Sequence, residues 1–550
     1  MPVNPSIIPH AQMLPKSQPI LLLFSSQTPL HLRIYSRSKI PFHSSLPLSS
    51  YRIPSSKEYS AMVRATTPLS SPSHSMLRHL LLISLLLAVV AADGGFRRLE
   101  EKKVVTLHQL QWGEKGPSLI NSPQISRRQT HATVLEMKQH SQLPRRSANA
   151  EDYPQMLLVS DEARASSIQS RIKHFVRHKI HPDASEIRVP LNSGVSLQTL
   201  NYVTTVAVGG KSMTVIVDTG SDLTWVQCKP CFYCYNQQDP IFEPSASSSY
   251  QSIPCNSSTC RGMLQAATGS SGVCGMDKSS CYYALSYGDG SYTRGVLSQE
   301  RLTLGEANVE QFVFGCGRSN RGLFGGTSGL MGLGRTQLSL ISQTSDRFGG
   351  VFSYCLPTRL YNSSGSLVLG SDTSAYKNSS PIAYTRMIAD PEQPPFYFLN
   401  LTGASVGGLG VEAPGFGNGK ILIDSGTVIT RLPPSVYKAI KEEFVRQFIG
   451  YPSAPAFSIL DTCFNLSSYE EVKVPTLRLR FEGDVEMSVD ATGIFYFAKK
   501  DASQVCLAIA SLSYEDQAGI IGNYQQKNQR VVYDNFGSRL GFAEEACSYS

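Results

Sequence analysis

The sequence predicts a mostly β protein of two similar lobes that meet at a cleft between two aspartates, and three observations carry that prediction. From about Gly194 the chain becomes a series of short runs rich in Val, Ile, Thr, Tyr and Phe and broken by glycine, among them YVTTVAVGG, MTVIVDTG, QFVFGCG, KILIDSG and VVYDNFG. Closely spaced strands have this texture. VIVDTGSDLTW at 215–225 is echoed by LIDSGTVITRL at 422–432, and GLMGLG at 329–334 by GIIGNY at 519–524. The intervals agree, with Asp218 to Gly332 spanning 114 residues and Asp424 to Gly522 spanning 98, so one plan is used twice and each copy offers one carboxylate.

Ahead of the lobes the 550-residue chain has a different character. Its net charge of +8 divides into +12 over residues 1–200 and −4 over 201–550, a basic front before a mildly acidic body. Residues 1–75 contain one acid, Glu58, among many Ser and Pro. They read as disordered, as an organellar transit peptide, or as lying upstream of a true start at Met62 or Met76. In MLRHLLLISLLLAVVAADGG, Arg78 and His79 precede an apolar run from Leu80 to Ala92 and then small residues. This is the pattern of a secretory signal peptide at 76–93, cut near Ala91 to Gly94. The run is short for a stable membrane span; a retained signal anchor is the alternative.

Residues 94–195 form a basic, cysteine-free segment expected to be detachable. Its helical stretch is ARASSIQSRIKHFVRHKI, where Ile168, Ile172, Phe175 and Ile180 recur among Arg171, Lys173, Arg177 and Lys179. The lobes are assigned to 196–380 and 381–550. Their clearest helix is SVYKAIKEEFVRQFIG, opened by Pro433, Pro434 and Ser435, closed by Gly450, with Tyr437, Ile440, Phe444 and Phe448 on one face.

All 12 cysteines lie in the last 350 residues, and an even count behind a secretory signal reads as six disulfides. CKPCFYC at 228–234 suggests a zinc site at first sight, but all 11 His precede residue 200, so no metal and no cofactor is expected. Five Asn-x-Ser/Thr acceptors, at Asn256, Asn362, Asn378, Asn400 and Asn465, agree with export and are expected on the surface.

A carboxylate at the end of an apolar strand is costly to bury alone, whereas two that meet at a lobe interface can share a proton and hold a water. Asp218-Thr219-Gly220-Ser221 and Asp424-Ser425-Gly426-Thr427 supply such a pair. Glycine allows the tight turn, and the Thr219 and Ser425 hydroxyls can hydrogen-bond across the pair. Like charges in contact do not both ionise readily, so the two acids titrate in jointly owned steps and work best in acid. One carboxylate then takes a proton from water while the other hydrogen-bonds a substrate carbonyl.

At these residues the sequence resembles the pepsin-like aspartic proteases, and within them the plant nepenthesin-like group, over about residues 195–550. VDTGSDLTW resembles the first catalytic loop, with Trp225 at the family's spacing after Asp218. SYGDGS resembles the flap hairpin, with Tyr287 closing over substrate and Gly288 and Asp289 at the tip. ILIDSGT resembles the second loop, and Leu330-Met331-Gly332 and Ile520-Ile521-Gly522 the elements that pass behind the two loops. The cysteine-rich stretch 228–281 resembles the insert of the nepenthesin-like group.

The resemblance implies a bilobal fold, an endopeptidase with Asp218 and Asp424 as catalytic acids, polypeptide substrates, a basic prosegment that covers the cleft as autoinhibitor, and a monomer. It implies the bridges Cys228–Cys231, Cys234–Cys316, Cys255–Cys281, Cys260–Cys274, Cys355–Cys547 and Cys463–Cys506. Ser425 stands where animal members have Thr, and the saposin-like insert of vacuolar plant members is absent.

Plainer readings stand beside these. Trp225 fits core packing as well as flap support, Asp289 a turn, and Tyr287 an ordinary hairpin aromatic. Some plant proteins of this type have lost catalysis and act as inhibitors or binding proteins, but their broken dyad or flap is not seen here. A plastid protein with a nucleic-acid-binding basic arm is a further alternative, against which stand the cysteines, the glycosylation acceptors and the lack of an aromatic-interleaved basic patch. The expected location is the secretory pathway and the extracellular space or apoplast, with the vacuole and the chloroplast as alternatives.

Overall fold

Strands from both halves of the chain interleave in a computed structural model that describes residues 100–112, 153–172, 187–193 (backbone only), 199–287, 290–358, 364–376, 379–391 and 393–547. The signal stretch 76–93, the first 75 residues, Phe175, Ile180, Lys173, Arg177, Lys179, Gly288, Asp289, Asn362 and Asn378 lie outside them.

The largest sheet has 15 strands and ties the two halves together. Val351–Cys355 and Gly365–Leu369 pair with each other, and Val351–Cys355 pairs with Gln529–Asp534 from near the C-terminus. Ile187–Ser193 adds beside Gly365–Leu369 and then meets Tyr202–Val208, so this body sheet recruits a strand from within 94–195. Phe352 stacks on Tyr533 at 4.4 Å, and the Arg530–Glu545 ion pair beneath is wholly buried, with two bonds of 2.8 and 2.9 Å. Its fork geometry is what makes burial of both charges tolerable.

The strand leading to each Asp ends in a run of consecutive buried residues, Val215–Asp218 and Ile421–Asp424, as expected where both sheet faces are covered. In the first lobe Lys211–Asp218 runs parallel to Gly329–Gly332, with Val217 opposite Met331 and Asp218 opposite Gly332. In the second lobe Lys420–Ile423 runs parallel to Gly519–Ile521, with Ile423 opposite Ile521. The repeated sequence plan is therefore a repeated structure. The helix Pro434–Gln447 buries Val436, Tyr437, Ile440 and Phe444, and Phe448 just beyond it.

Two further pieces of the basic segment dock on this body. Lys102–Thr106 pairs antiparallel with Glu471–Pro475, and Val105 and Leu110 enter the main core. A helix runs from Tyr153 to Arg171, beginning ten residues before the expected stretch. Leu158, Asp161, Ala165 and Ile168 are buried along one stripe at helical spacing.

The cysteine pairing differs from the expected one at four of the six bridges. Cys355–Cys547 and Cys463–Cys506 are as expected. The others are Cys228–Cys316, Cys231–Cys234, Cys255–Cys274 and Cys260–Cys281 in place of Cys228–Cys231, Cys234–Cys316, Cys255–Cys281 and Cys260–Cys274. Strand register is the reason. Cys316 lies opposite Val226 in a parallel pair and the Cys228 N–H donates to Gly317 O, which sets Cys228 and Cys316 5.4 Å apart at Cα and leaves Cys231 and Cys234 for each other. In the insert, Cys274 and Cys281 face each other across a hairpin, so each takes a partner from the preceding segment. The Cys255 N–H donates to Ser279 O and the Gly272 N–H to Cys260 O, which holds the preceding segment against the hairpin, and there Cys255 joins Cys274 and Cys260 joins Cys281 at Cα separations of 5.0 and 5.7 Å.

Asn256 is exposed and Asn400 and Asn465 are partly exposed. No described helix is long and apolar enough to cross a membrane. Non-reducing peptide mapping by mass spectrometry is expected to recover Cys228 joined to Cys316 and Cys260 joined to Cys281; fragments joining Cys228 to Cys231 would contradict the strand register described here.

Candidate active site

The two loops after the strands that end at Asp218 and Ile423 meet at the lobe interface, and their hydrogen bonds repeat residue for residue. The Gly220 N–H donates to Asp218 Oδ1 at 3.0 Å and the Gly426 N–H to Asp424 Oδ1 at 2.9 Å. Ser221 Oγ donates to Asp218 Oδ2 at 2.5 Å and Thr427 Oγ1 to Asp424 Oδ2 at 2.6 Å. Each carboxylate thus has one oxygen on a backbone amide and the other on a hydroxyl three residues on. A Cβ on Gly220 would collide with Asp424 Oδ1 and one on Gly426 with Asp218 Oδ1, so only glycine lets the opposite acid approach.

The loops also clasp each other. The Thr219 N–H donates to Ser425 Oγ at 3.1 Å and the Ser425 N–H to Thr219 Oγ1 at 2.9 Å, while Ser425 Oγ donates to Val217 O. Thr224 and Thr430, each six residues after its Asp, accept the N–H groups of Gly332 and Gly522 behind the loops. Both carboxyl groups are wholly buried.

Tyr287 comes from the hairpin above the first loop. Trp225 Nε1 donates to its hydroxyl at 2.8 Å, and Phe324 packs edge-on against both rings. Trp225 therefore serves packing and the flap at once. Burial raises the Tyr287 phenol well above its ordinary value, so it stays a neutral hydrogen-bonding group.

The space in front of the pair holds Arg164, from the helix Tyr153–Arg171. Its Nη2 lies 2.6 Å from Asp218 Oδ1 and 3.0 Å from Asp424 Oδ2. Burial works against the guanidinium charge, and the fields of the two acids overcome it, so Arg164 is held charged. Burial pushes the Asp218 carboxyl up, against the pull of Arg164. At Asp424 burial has the same sense, but Arg164 and the Thr427 hydroxyl outweigh it and the carboxyl is lowered. The two groups titrate as one system.

Further contacts fix the helix in the cleft. Asp161 accepts the N–H groups of Val428 and Ile429 at 2.6 and 3.0 Å and pairs with the buried Arg431 at 2.8 Å. Glu162 takes Arg431 Nε at 2.9 Å. Gln169 exchanges two hydrogen bonds with the backbone of Ala518, and Arg171 lies over the Phe396 ring.

Sequence reasoning placed the paired acids and their loops but did not single out Arg164, Asp161 or Arg431. The signal was present: Leu158, Asp161, Ala165 and Ile168 share a helical stripe that begins before the apolar positions first picked out. Among the described residues no cluster of His, Cys, Asp and Glu is arranged to hold a metal ion.

Replacing Ser425 by Ala removes an acceptor from the buried Thr219 N–H and a donor from Val217 O, a loss of about 1–3 kcal/mol. Thermal unfolding is expected to fall by several degrees in Ser425→Ala and to recover most of that in Ser425→Thr; equal melting of all three proteins would show that the clasp contributes nothing.

The family profile described as xylanase inhibitor N-terminal matches residues 202–371, and that described as xylanase inhibitor C-terminal matches 396–544. An aspartyl protease family protein of Arabidopsis thaliana is 37% identical over 87% of this chain and 100% of its own. The aspartic proteinase nepenthesin-1 of Nepenthes gracilis is 36% identical over 64% of this chain and 78% of its own. The crystal structure of basic 7S globulin from soybean, at 20% identity and a TM-score of 0.52, covers 66% of this chain and 96% of its own and shares the fold. A match of this extent around a paired aspartate site means that the chain is an aspartic-type endopeptidase and belongs to the pepsin-like aspartic proteases, in their plant nepenthesin-like group.

Proposed function

We propose that this chain is the precursor of a secreted, acid-acting endopeptidase in which residues 94–195 act as prosegment and the helix Tyr153–Arg171 holds the cleft shut. The observation that carries this reading is Arg164, whose guanidinium sits on both carboxylates where a water and a peptide bond would have to lie. Six disulfides and the surface asparagines support an oxidising, exported setting. The products are polypeptide fragments, and the working form is a monomer.

With the helix gone, the pair would share one proton and bind a water between them. The ionised carboxylate accepts a proton as the water oxygen attacks the peptide carbon, and the protonated one hydrogen-bonds the carbonyl oxygen. The resulting diol collapses as a proton passes to nitrogen and the C–N bond breaks, giving an acid and an amine. Ser221, Thr427 and the two glycine N–H groups hold the carboxylates in place throughout, and Tyr287 closes the other side. An intact dyad and flap favour this over the inhibitor role that the family profiles' description names.

Acid would open the cleft because Arg164 needs ionised partners. Asp424 is lowered, so its part of the stabilisation is complete above the ordinary carboxylate range, near pH 4, and is lost as pH falls through its lowered value. Asp218 is raised and takes its proton earlier, which weakens the grip first from that side.

Casein cleavage by protein expressed from Met76 is expected in acid, to be blocked by pepstatin, and to fall about 10²–10⁴-fold in Asp218→Asn and in Asp424→Asn. Retained proteolysis in either variant would end the two-aspartate reading. In Arg164→Gln the helix loses a buried ion pair, about 3 kcal/mol, so the open form gains roughly 100-fold and conversion should begin at higher pH without a lag. A conversion profile identical to that of the parent protein would show that Arg164 does not keep the cleft closed.

A further inference from the structure

We infer that Arg431 forms a substrate subsite for an acidic side chain. The inference rests on the reading that the helix Tyr153–Arg171 leaves the cleft. In the repeated plan Arg431 stands where Trp225 stands in the first lobe, each seven residues after its catalytic Asp. Each lies in the short strand after its loop, Trp225 opposite Leu330 and Arg431 opposite Ile520. Trp225, wholly buried, donates to the Tyr287 hydroxyl and steadies it. The matching position of the other lobe carries a cation.

That cation lies in a site already formed for a carboxylate. Arg431 Nη1 bonds Asp161 Oδ2 at 2.8 Å, and the Val428 and Ile429 N–H groups donate to the two Asp161 oxygens at 2.6 and 3.0 Å. Glu162 takes Nε, Ile429 O accepts from Nη1, and the buried Nη2 has no hydrogen-bond partner. Arg431 is only 1% exposed. When Asp161 and Glu162 depart with the helix, a buried guanidinium keeps one carbonyl and faces an empty carboxylate pocket. Leaving such a charge uncompensated is unfavourable, so an anionic side chain gains where its neutral amide does not.

Its distance from the reaction centre is short. Asp161 precedes Arg164 by three residues, about 4.5 Å along a helix axis, the reach of one or two residues of extended chain. The acidic residue of the substrate therefore falls within about three residues of the bond that is cut, on one side of it.

The test uses acid-matured full-length precursor and an uncharged fluorogenic octapeptide, varied to Asp, Asn, Glu or Gln at each position around the cut, at pH 5 where these acids are ionised. At one position the acidic peptide is expected to exceed its amide counterpart about tenfold or more in kcat/KM. In Arg431→Met that ratio should fall to near one, and in Arg431→Glu a Lys peptide should take the advantage. Cleavage by the parent protein with no acid preference at any position overturns the subsite, and needs no variant that folds. A preference that survives in Arg431→Met, or in Arg431→Lys should Arg431→Met not fold, with its size unchanged, overturns the role of Arg431. Failure to cut any peptide in a pepstatin-sensitive way overturns instead the endopeptidase reading of the site, and the subsite with it.

Discussion

Two carboxyl groups with no solvent exposure face each other between the lobes, and the rest of the structure answers that constraint. Unpaired, each is driven to protonate; together they repel. The loops meet the problem with donors: a glycine N–H on one oxygen, a hydroxyl on the other, and a backbone clasp that stops the lobes from relaxing apart. Because both copies use the same positions, each acid is supported by its own loop and approached through the other's glycine. The site needs both lobes, and a 15-stranded sheet that pairs strands from both halves of the chain ties them together.

The helix in the cleft satisfies the same constraint from outside, and its charges alternate to do so. Arg164 is a helix cation on acids of the body; Asp161, three residues earlier, is a helix anion on a cation of the body. Shifting the helix by one turn in one direction would bring Asp161 toward the carboxylate pair, and in the other direction Arg164 toward Arg431. Like charges would then meet at one point or the other, so the alternation sets register as well as affinity. Leu158 and Ile168 add about 2 kcal/mol each by burial, a term indifferent to position along an apolar cleft and unable to select register alone.

What could be read in the sequence follows from how local each signal is. Asp218, Asp424, their hydroxyl and glycine neighbours, and the strands behind them form contiguous motifs, because the chemistry fixes residue type at fixed offset. The helix Pro434–Gln447 was legible for the same reason, with proline at its start and one apolar face. Arg164 was not, since nothing near it in sequence says that residues 54 and 260 positions away converge on it. The bridges of the insert depend on which strand lies beside which, and Cys spacing carries no register. Strand Ile187–Ser193 was hidden by its Pro190 and by the polar texture around it.

Ahead of strand Ile187–Ser193, the basic segment is attached in two ways that differ in kind. Besides its apolar stripe and the Gln169 bonds, its helix rests on buried ion pairs with Asp218, Asp424 and Arg431, interactions that exist only while the carboxylates are ionised. Its strand Lys102–Thr106 rests on a ladder with Glu471–Pro475 and on Val105 and Leu110 in the main core, where no titrating group is needed. Acid strong enough to load a proton on the dyad therefore weakens the first attachment and leaves the ladder and the apolar contacts of the second in place, although the flanking pairs of Glu100 with Arg446 and Glu101 with Arg478 would also weaken. On the proposed reading the two events are linked, because the proton that loosens Arg164 is the one the carboxylate pair would carry to begin catalysis.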